Sequence, residues 1–340
     1  MKKILIYFSL LFLLPISGLL AASQDAGYTV AFLKMPVDAR AASMGGAYIA
    51  VSDDGTGLLH NPAGVQSATK ISLTSSYRVM NLDRKLGFIS LLFPTKEESA
   101  LAFSWLYAGY GSVEERDASS YATGEIISSN EHVFGVTFAK RFLPSLGLGA
   151  KFNYFQRNHA NLKSSSIGIN VGATLYIDSL LRYGTMEGKL ITDITGGFAA
   201  TNIFATGKYK WETEGAGLTA SQDDAFPQVY GLGASCRAFK RRLLVAFDAE
   251  WWLSKLQERD DSGQTVDRGW KSVDVPVRFG AEYKVTDMLL LRTGMNQGII
   301  TAGAGFRFNL QNLALSIDYA FSNDRVGEGD DHIITLDVSF

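Results

Sequence analysis

Cysteine, proline and long apolar runs are all scarce in this chain of 340 residues. Cys236 is the only cysteine, so no intramolecular disulfide forms and a disulfide-stapled fold is excluded. Proline occurs 7 times. Beyond the N-terminal two dozen residues no stretch reaches the ~18 consecutive apolar residues of a membrane helix. An excess of one charge is missing too. Lys and Arg number 32 against 34 Asp and Glu, a formal net charge of −2, so nucleic acid is not an expected partner. Glycine (34) and aromatic residues (12%) are plentiful. Mean hydropathy is +0.05 because the apolar residues are dispersed in alternation. A membrane β-barrel hides from a hydropathy plot in this way.

Both ends fit that reading. Met1-Lys2-Lys3 is a short basic start, Ile4 to Leu20 is apolar except at Ser9, Pro15, Ser17 and Gly18, and Ala21-Ala22-Ser23 is small. This is the layout of a secretory signal peptide, residues 1–22, cleaved after Ala22; an uncleaved anchor is the competing reading. At the other end Ile334, Leu336, Val338 and Phe340 share one face, and Thr335, Asp337 and Ser339 the other. A closing strand that ends in an aromatic looks like the last strand of an outer-membrane barrel. There it also resembles the signal read by the barrel-assembly machinery. Taken alone, the tail would also suit a soluble sandwich.

Period-2 alternation dominates from about residue 70. Val275, Val277, Phe279, Ala281, Tyr283 and Val285 form one face of a segment whose other face carries Asp274, Arg278, Glu282 and Lys284. In a soluble core each such charge would need a partner; in a barrel they line the lumen. The same logic turns Asp248 and Glu250 inward while Val245, Phe247 and Trp251 face out. The strands expected are 71–80, 86–94, 99–110, 131–142, 145–158, 164–178, 188–201, 226–239, 242–253, 274–285, 287–296, 298–309, 312–322 and 331–340. Two of these are irregular: 86–94 is apolar on both faces, and 188–201 is rich in Gly and Thr. The fold expected is all-β, a transmembrane antiparallel barrel of about 14 strands over residues 69–340, of the even count and length that spanning strands require. Long polar connections at 110–130, 202–225, 254–273 and 323–330 alternate with short ones, which places the short ones and both barrel ends in the periplasm of a diderm bacterium. The connection at 296–298 is short for an external loop, and 178–189 is long for a periplasmic turn. Aromatics near strand ends, Trp105, Tyr107, Trp251, Trp252, Tyr319, Phe321 and Phe340, read as interfacial girdles.

Residues 23–68 do not alternate. Pro36 and Asp38 precede an Ala/Arg run that Gly45-Gly46 ends, which reads as a short capped helix. Asn61-Pro62-Ala63-Gly64 reads as a capped helical turn. The strings Phe32-Leu33-Lys34, Ala39-Arg40-Ala41-Ala42-Ser43-Met44-Gly45-Gly46-Ala47, Ala50-Val51-Ser52-Asp53-Asp54 and Asn61-Pro62-Ala63-Gly64 resemble the N-terminal signature of the PorV/PorQ proteins, which are similar to the wider FadL-type outer-membrane barrels. The close match covers about 35 residues; His60 and Gly55-Thr56-Gly57 depart from it. The resemblance implies a fourteen-stranded barrel whose lumen is plugged by this segment, with Arg40, Gly45, Gly46, Asp53, Asp54, Asn61, Pro62 and Gly64 as the plug signature.

Candidate sites lie in the lumen. Asp53 and Asp54 are a carboxylate pair that either ligates a cation or, the preferred reading, caps a turn and pairs with a basic group. Arg40 is expected to pair with Asp248, Glu250 or Glu282. Arg278, Glu282, Lys284, Arg292, Arg307 and Asp318 are expected to form a lumen charge network. Phe32, Leu33, Met35 and Met44 would line an apolar ligand pocket. No catalytic residue, metal site or cofactor is indicated. His60, His132, His159 and His332 are scattered, with His60 read as a plug residue. The motifs of serine hydrolases and zinc enzymes are missing, which argues against a lipid hydrolase. The resemblance leaves two uses open: passage of a hydrophobic small molecule such as a long-chain fatty acid, or a non-channel part in type IX secretion that holds a secreted cargo protein at the outer rim. Membrane lipids are partners in either case.

Overall fold

The computed structural model describes residues 31–81, 83–117, 119–159, 162–180, 190–212, 219–259, 265–310, 313–323 and 330–340. The expected leader and most of 178–189 lie outside them. The strands are β1 (Ser72–Val79), β2 (Arg84–Thr95), β3 (Ser99–Arg116), β4 (Ala122–Leu143), β5 (Leu146–His159), β6 (Leu162–Tyr176), β7 (Ile191–Ile203), β8 (Thr206–Glu212), β9 (Thr219–Ala225), β10 (Gln228–Ala238), β11 (Leu243–Arg259), β12 (Thr265–Asp274), β13 (Val277–Lys284), β14 (Leu289–Asn296), β15 (Ile299–Leu310), β16 (Leu313–Asn323) and β17 (Asp330–Ser339). Among the described residues fourteen of these close an antiparallel barrel. Strands β1 to β7 pair in order, β7 pairs with β10, β10 with β11, β11 with β13, and β13 to β17 again in order, with β17 returning to β1. Among the described residues each of these fourteen strands is thus paired on both edges, as hydrocarbon requires.

The other three strands correct the loop assignments. Segments 202–225 and 254–273, read as polar loops, are largely paired: β8 and β9 form a hairpin that leans on β6, and β12 pairs with the end of β11. Likewise β3 and β4 run on to Arg116 and from Ala122. These pairings continue beyond the lipid, where both faces meet water and alternation ceases to mark a strand. The long hairpins share one end of the barrel. The short connections, such as 239–242 and 285–288, share the other with Phe340.

Outward faces are apolar. Phe103, Phe134, Phe152, Ile167, Leu291 and Ile334 are each more than two-fifths exposed on bare protein, a band that only lipid would cover. Within the lumen lies the segment 31–68. Its one α-helix, α1 (Ala39–Ser43), starts where the Asp38 carboxylate accepts from the Ala41 amide at 2.7 Å. It ends in a Schellman pattern: Gly46 N–H to Ala41 O at 2.8 Å and Gly45 N–H to Ala42 O at 3.0 Å, with φ +67° and +81° at the two glycines.

The two irregular strands now have a cause. Strand β2 is apolar on both faces because Leu86, Phe88 and Leu92 point inward onto a buried cluster with Phe32, Leu58 and Val65. Each such side chain contributes ~1.5–3 kcal/mol. Strand β7 is thin because the Ile49–Ala50 backbone lies directly on Gly197. Similar contacts place Pro62 and Ala63 on Gly149, Met44 on Gly280, Met44 and Gly45 on Gly294 and Ser43 on Gly303. Trp252, read as a girdle residue, corrects the pattern: it points inward, 5% exposed, while Trp251 faces out.

A Cβ at position 280 would fall 2.5 Å from the Met44 carbonyl oxygen. Gly280→Val should therefore loosen segment 31–68 by about 1–3 kcal/mol, read as faster proteolysis within residues 39–66. Gly196→Ala, whose new Cβ would meet only the Leu175 Cβ at 3.9 Å, should leave proteolysis unchanged.

Candidate functional site

The lumen has two differently built sides. Strands β10 to β16 carry charge. Arg40 of α1 reaches the wall with its fork: Nε donates to Glu282 Oε2 at 3.0 Å and one terminal nitrogen to Glu282 Oε1 at 3.4 Å. Its other terminal nitrogen donates to Asp53 at 2.5 Å, Asp54 at 2.9 Å and the Tyr48 hydroxyl at 2.8 Å. The same Glu282 accepts from Arg292 at 2.8 Å, and Arg292 donates on to Asp318 at 2.6 Å. Register explains the reach. Glu282 faces Arg292 directly across β13–β14, but β15 separates Arg292 from Asp318 and offers only Gly303 and Gly305 there. Lacking a side chain, Gly305 lets the guanidinium cross the strand.

Asp53 and Asp54 therefore serve the basic-partner role, with Asp53 also 3.6 Å from Arg237. Asp54 accepts from the Thr56 amide at 3.0 Å and the Gly57 amide at 3.1 Å, capping the next turn. Burial disfavours its charge, but the charge of Arg40 and hydrogen bonds from the Thr56, Tyr48 and Arg40 side chains outweigh that and hold its pKa below the ordinary carboxylate value.

Of the three expected partners of Arg40, only Glu282 is one. Asp248 accepts from the Tyr48 and Ile49 amides at 2.6 and 2.8 Å, and Glu250 pairs with Arg278 and accepts from Trp252. Three members expected in the charge network sit apart from it: Arg278, on Glu250, and two at the rim. Lys284 pairs with Asp287 at the short-turn rim, and Arg307 is exposed near that same rim; their inward register places them below the level that segment 31–68 fills. Asn61 ties the segment to itself and to β6: its amide donates to Ile49 O at 2.9 Å and Ala173 O at 3.1 Å, and its oxygen accepts from Ala63 N at 3.0 Å. Pro62 and Gly64 are buried beside it.

Above this floor, toward the long-hairpin end, lies a cavity of about 120 Å³. Phe32, Leu33 and Met35 line it together with Leu106, Val133, Phe155 and Trp252. Met44 does not. It is fully buried beside Tyr48 and Leu244, on the glycines of β13 and β14, because the turn after α1 directs it at the wall. Glu250 and Arg278, expected as lumen charges, also line it, whereas the polar groups Lys151, Asn153, Asn170 and Asn202 were not singled out from sequence. Their signal was the inward register of β5, where Phe152 and Tyr154 face out. His60 forms part of the floor, 3.0 Å from Asp38 and edge-on to Tyr48.

No protein-family model and no curated protein matches the chain. Solved structures do. A Pseudomonas aeruginosa FadL homologue aligns over 93% of this chain and 99% of its own, with a TM-score of 0.57 and 14% identity. The monoaromatic hydrocarbon channel CymD aligns over 92% and 98%, at 0.52 and 14%. The Pseudomonas putida toluene transporter TodX aligns over 88% and 96%, at 0.50 and 12%. The fold is shared with FadL-type hydrocarbon channels. At these identities the likeness is one of fold.

Removing Arg40 leaves Glu282, Asp53 and Asp54 without their shared cation. Arg40→Ala should destabilise the docked segment by about 3 kcal/mol or more, measured as loss of protease resistance over residues 39–66. His60 supplies a pH test. Burial disfavours its charged ring, but the hydrogen bond and charge of Asp38 outweigh burial and raise its pKa. Its contribution is thus complete below the ordinary imidazole value, about 6.5, and lost as pH rises through the raised value. Protease resistance of the segment should fall above about pH 6.5 in the wild type, and His60→Gln should remove that dependence.

Proposed function

We propose that this protein sits in the outer membrane of a diderm bacterium and passes a hydrophobic small molecule, such as a long-chain fatty acid, across it. The observation that carries the reading is the lumen cavity bounded by Phe32, Leu33 and Met35, inside a barrel with the fold of hydrocarbon channels. Its lining joins an apolar side, with Leu106, Val133, Phe155 and Trp252, to a polar one with Lys34, Lys151, Glu250 and Arg278, and such polar groups fix a ligand's orientation in a small-molecule site. In this reading residues 31–68 are the plug, the short turns and barrel ends face the periplasm, and the terminal residues Ile334 to Phe340 serve assembly. The FadL-type fold supports the barrel; the PorV/PorQ assignment rests on the residue strings of the plug.

A second reading, a non-channel part of type IX secretion, draws on the ribbon where β3 and β4 extend past their neighbours. There Val113, Tyr121 and Ile126 are 66%, 73% and 73% exposed, a surface suited to a protein partner.

Mass spectrometry of organic extracts from the detergent-washed barrel separates the two. Wild type should release a hydrophobic molecule near one per barrel, and Phe32→Ser with Leu33→Ser should retain at least about tenfold less, since burying even one such side chain contributes ~1.5 kcal/mol or more. An empty barrel that keeps a secreted protein through washing would instead support secretion.

A further inference from the structure

Among the described residues, one lysine that lines the cavity has no counter-ion. The titratable side chains around the cavity are Lys34, His60, Lys151, Glu250 and Arg278. Arg278 and Glu250 hold each other, His60 stands 3.0 Å from Asp38, and Lys34 lies 3.8 Å from Asp274. The second oxygen of Glu250 accepts from the Trp252 indole. Lys151 is only 4% exposed and reaches no described carboxylate; its ammonium donates to the Leu58 carbonyl at 3.4 Å. An ammonium has three donors, and a buried charge without a partner is costly.

The wall around Lys151 is built of small and neutral groups. Across its two strand pairings it faces Thr137 and Asn170. Its Cε passes over Gly135, where a Cβ would fall 2.4 Å away, so the stem leans toward the long-hairpin end. The Asn170 side-chain oxygen accepts from the Asn202 amide at 2.9 Å, which fixes its orientation and leaves its NH2 group for the cavity. Asn153, 3% exposed, has a side-chain oxygen with no partner, so its amide is free to turn either way toward a ligand. Above this layer come Phe155, Val133 facing it on β4, and Leu106 facing Val133 on β3. The cavity is thus cationic at the floor and apolar above it.

Size restricts what fits. An apolar cavity of about 150 Å3 takes up benzene, so one of about 120 Å3 encloses an apolar body of about six carbons at most. A single cation balances a single negative charge, which suits a carboxylate better than a phosphate dianion. We propose, on the reading given above that the cavity takes a small molecule, that its occupant is a short-chain monocarboxylate bound head down. The carboxylate accepts from Lys151 and the Asn170 amide, and the apolar body lies against Phe155, Val133 and Leu106. The anion is the partner that the lysine lacks, and low local dielectric strengthens the pair.

The test measures binding to the full chain in neutral detergent by calorimetry, with hexanoate, the neutral hexan-1-ol and hexadecanoate. Hexanoate should bind near one per barrel and at least about tenfold more tightly than hexan-1-ol, the effect of one hydrogen bond to a charged group. Lys151→Met and Lys151→Gln should each abolish that preference by weakening hexanoate. Both should leave hexan-1-ol binding unchanged, which shows the cavity intact, and heat-dependent gel mobility verifies that each variant is a closed barrel. Hexadecanoate should not displace hexanoate. Equal binding of hexanoate and hexan-1-ol to wild type, a preference that survives in both Lys151 variants, or displacement by hexadecanoate would overturn the proposal and leave the small-molecule reading standing. Binding of none of the three would overturn both.

Discussion

Hydrocarbon offers a backbone amide no partner, and this constraint organises the whole chain. Every strand inside the bilayer has to be paired on both edges, which forces closure of β17 onto β1. Closure divides the side chains into two populations that never exchange. The outward one can be almost uniformly apolar. The inward one must be satisfied within a space about the width of a single polypeptide segment, and residues 31–68 fill that space.

The two sides of the lumen solve that filling problem by different means. Around β2 and β3 the wall turns Leu86, Phe88, Leu92 and Leu106 onto Phe32, Leu58 and Val65, and the inward charges of this side, Arg78, Glu131, Lys151 and Arg157, stand apart from the Arg40 cluster. Around β10 to β16 it is charged, and Arg40 and Arg292 alternate with Glu282, Asp318, Asp53 and Asp54. Buried ions add little net stability over apolar packing but are costly to separate. They therefore set where the segment sits more than how strongly it is held. Apolar packing holds it, and the cavity remains where the two regimes meet, with Phe32 and Leu106 on one side and Glu250 and Arg278 on the other.

Much of this was legible because alternation is local and the bilayer enforces it. All fourteen barrel strands fall where the pattern placed them, even β2, whose double apolar face looked irregular. The Asp38 cap and the Gly45-Gly46 stop follow the same local chemistry. What escaped reading depends on contacts between distant segments. Met44 is apolar and near Phe32 in sequence, yet α1 turns it to the wall. Lys151 and Asn153 gained meaning only once β5 stood opposite Phe32. Strand pairing beyond the lipid was invisible because water on both faces erases the period-2 signal.

The glycine contacts carry a consequence for assembly. Gly149, Gly197, Gly280 and Gly294 belong to strands spread around the ring, and each rests on the backbone of the inner segment. A wall fitted this closely to its contents has no clearance for them to arrive late. The N-terminal residues have to be in position while the seam between β1 and β17 is still open, so the segment acts as a template on which the cylinder is wrapped. Its sequence then governs the diameter and circularity of the barrel as much as the strands do.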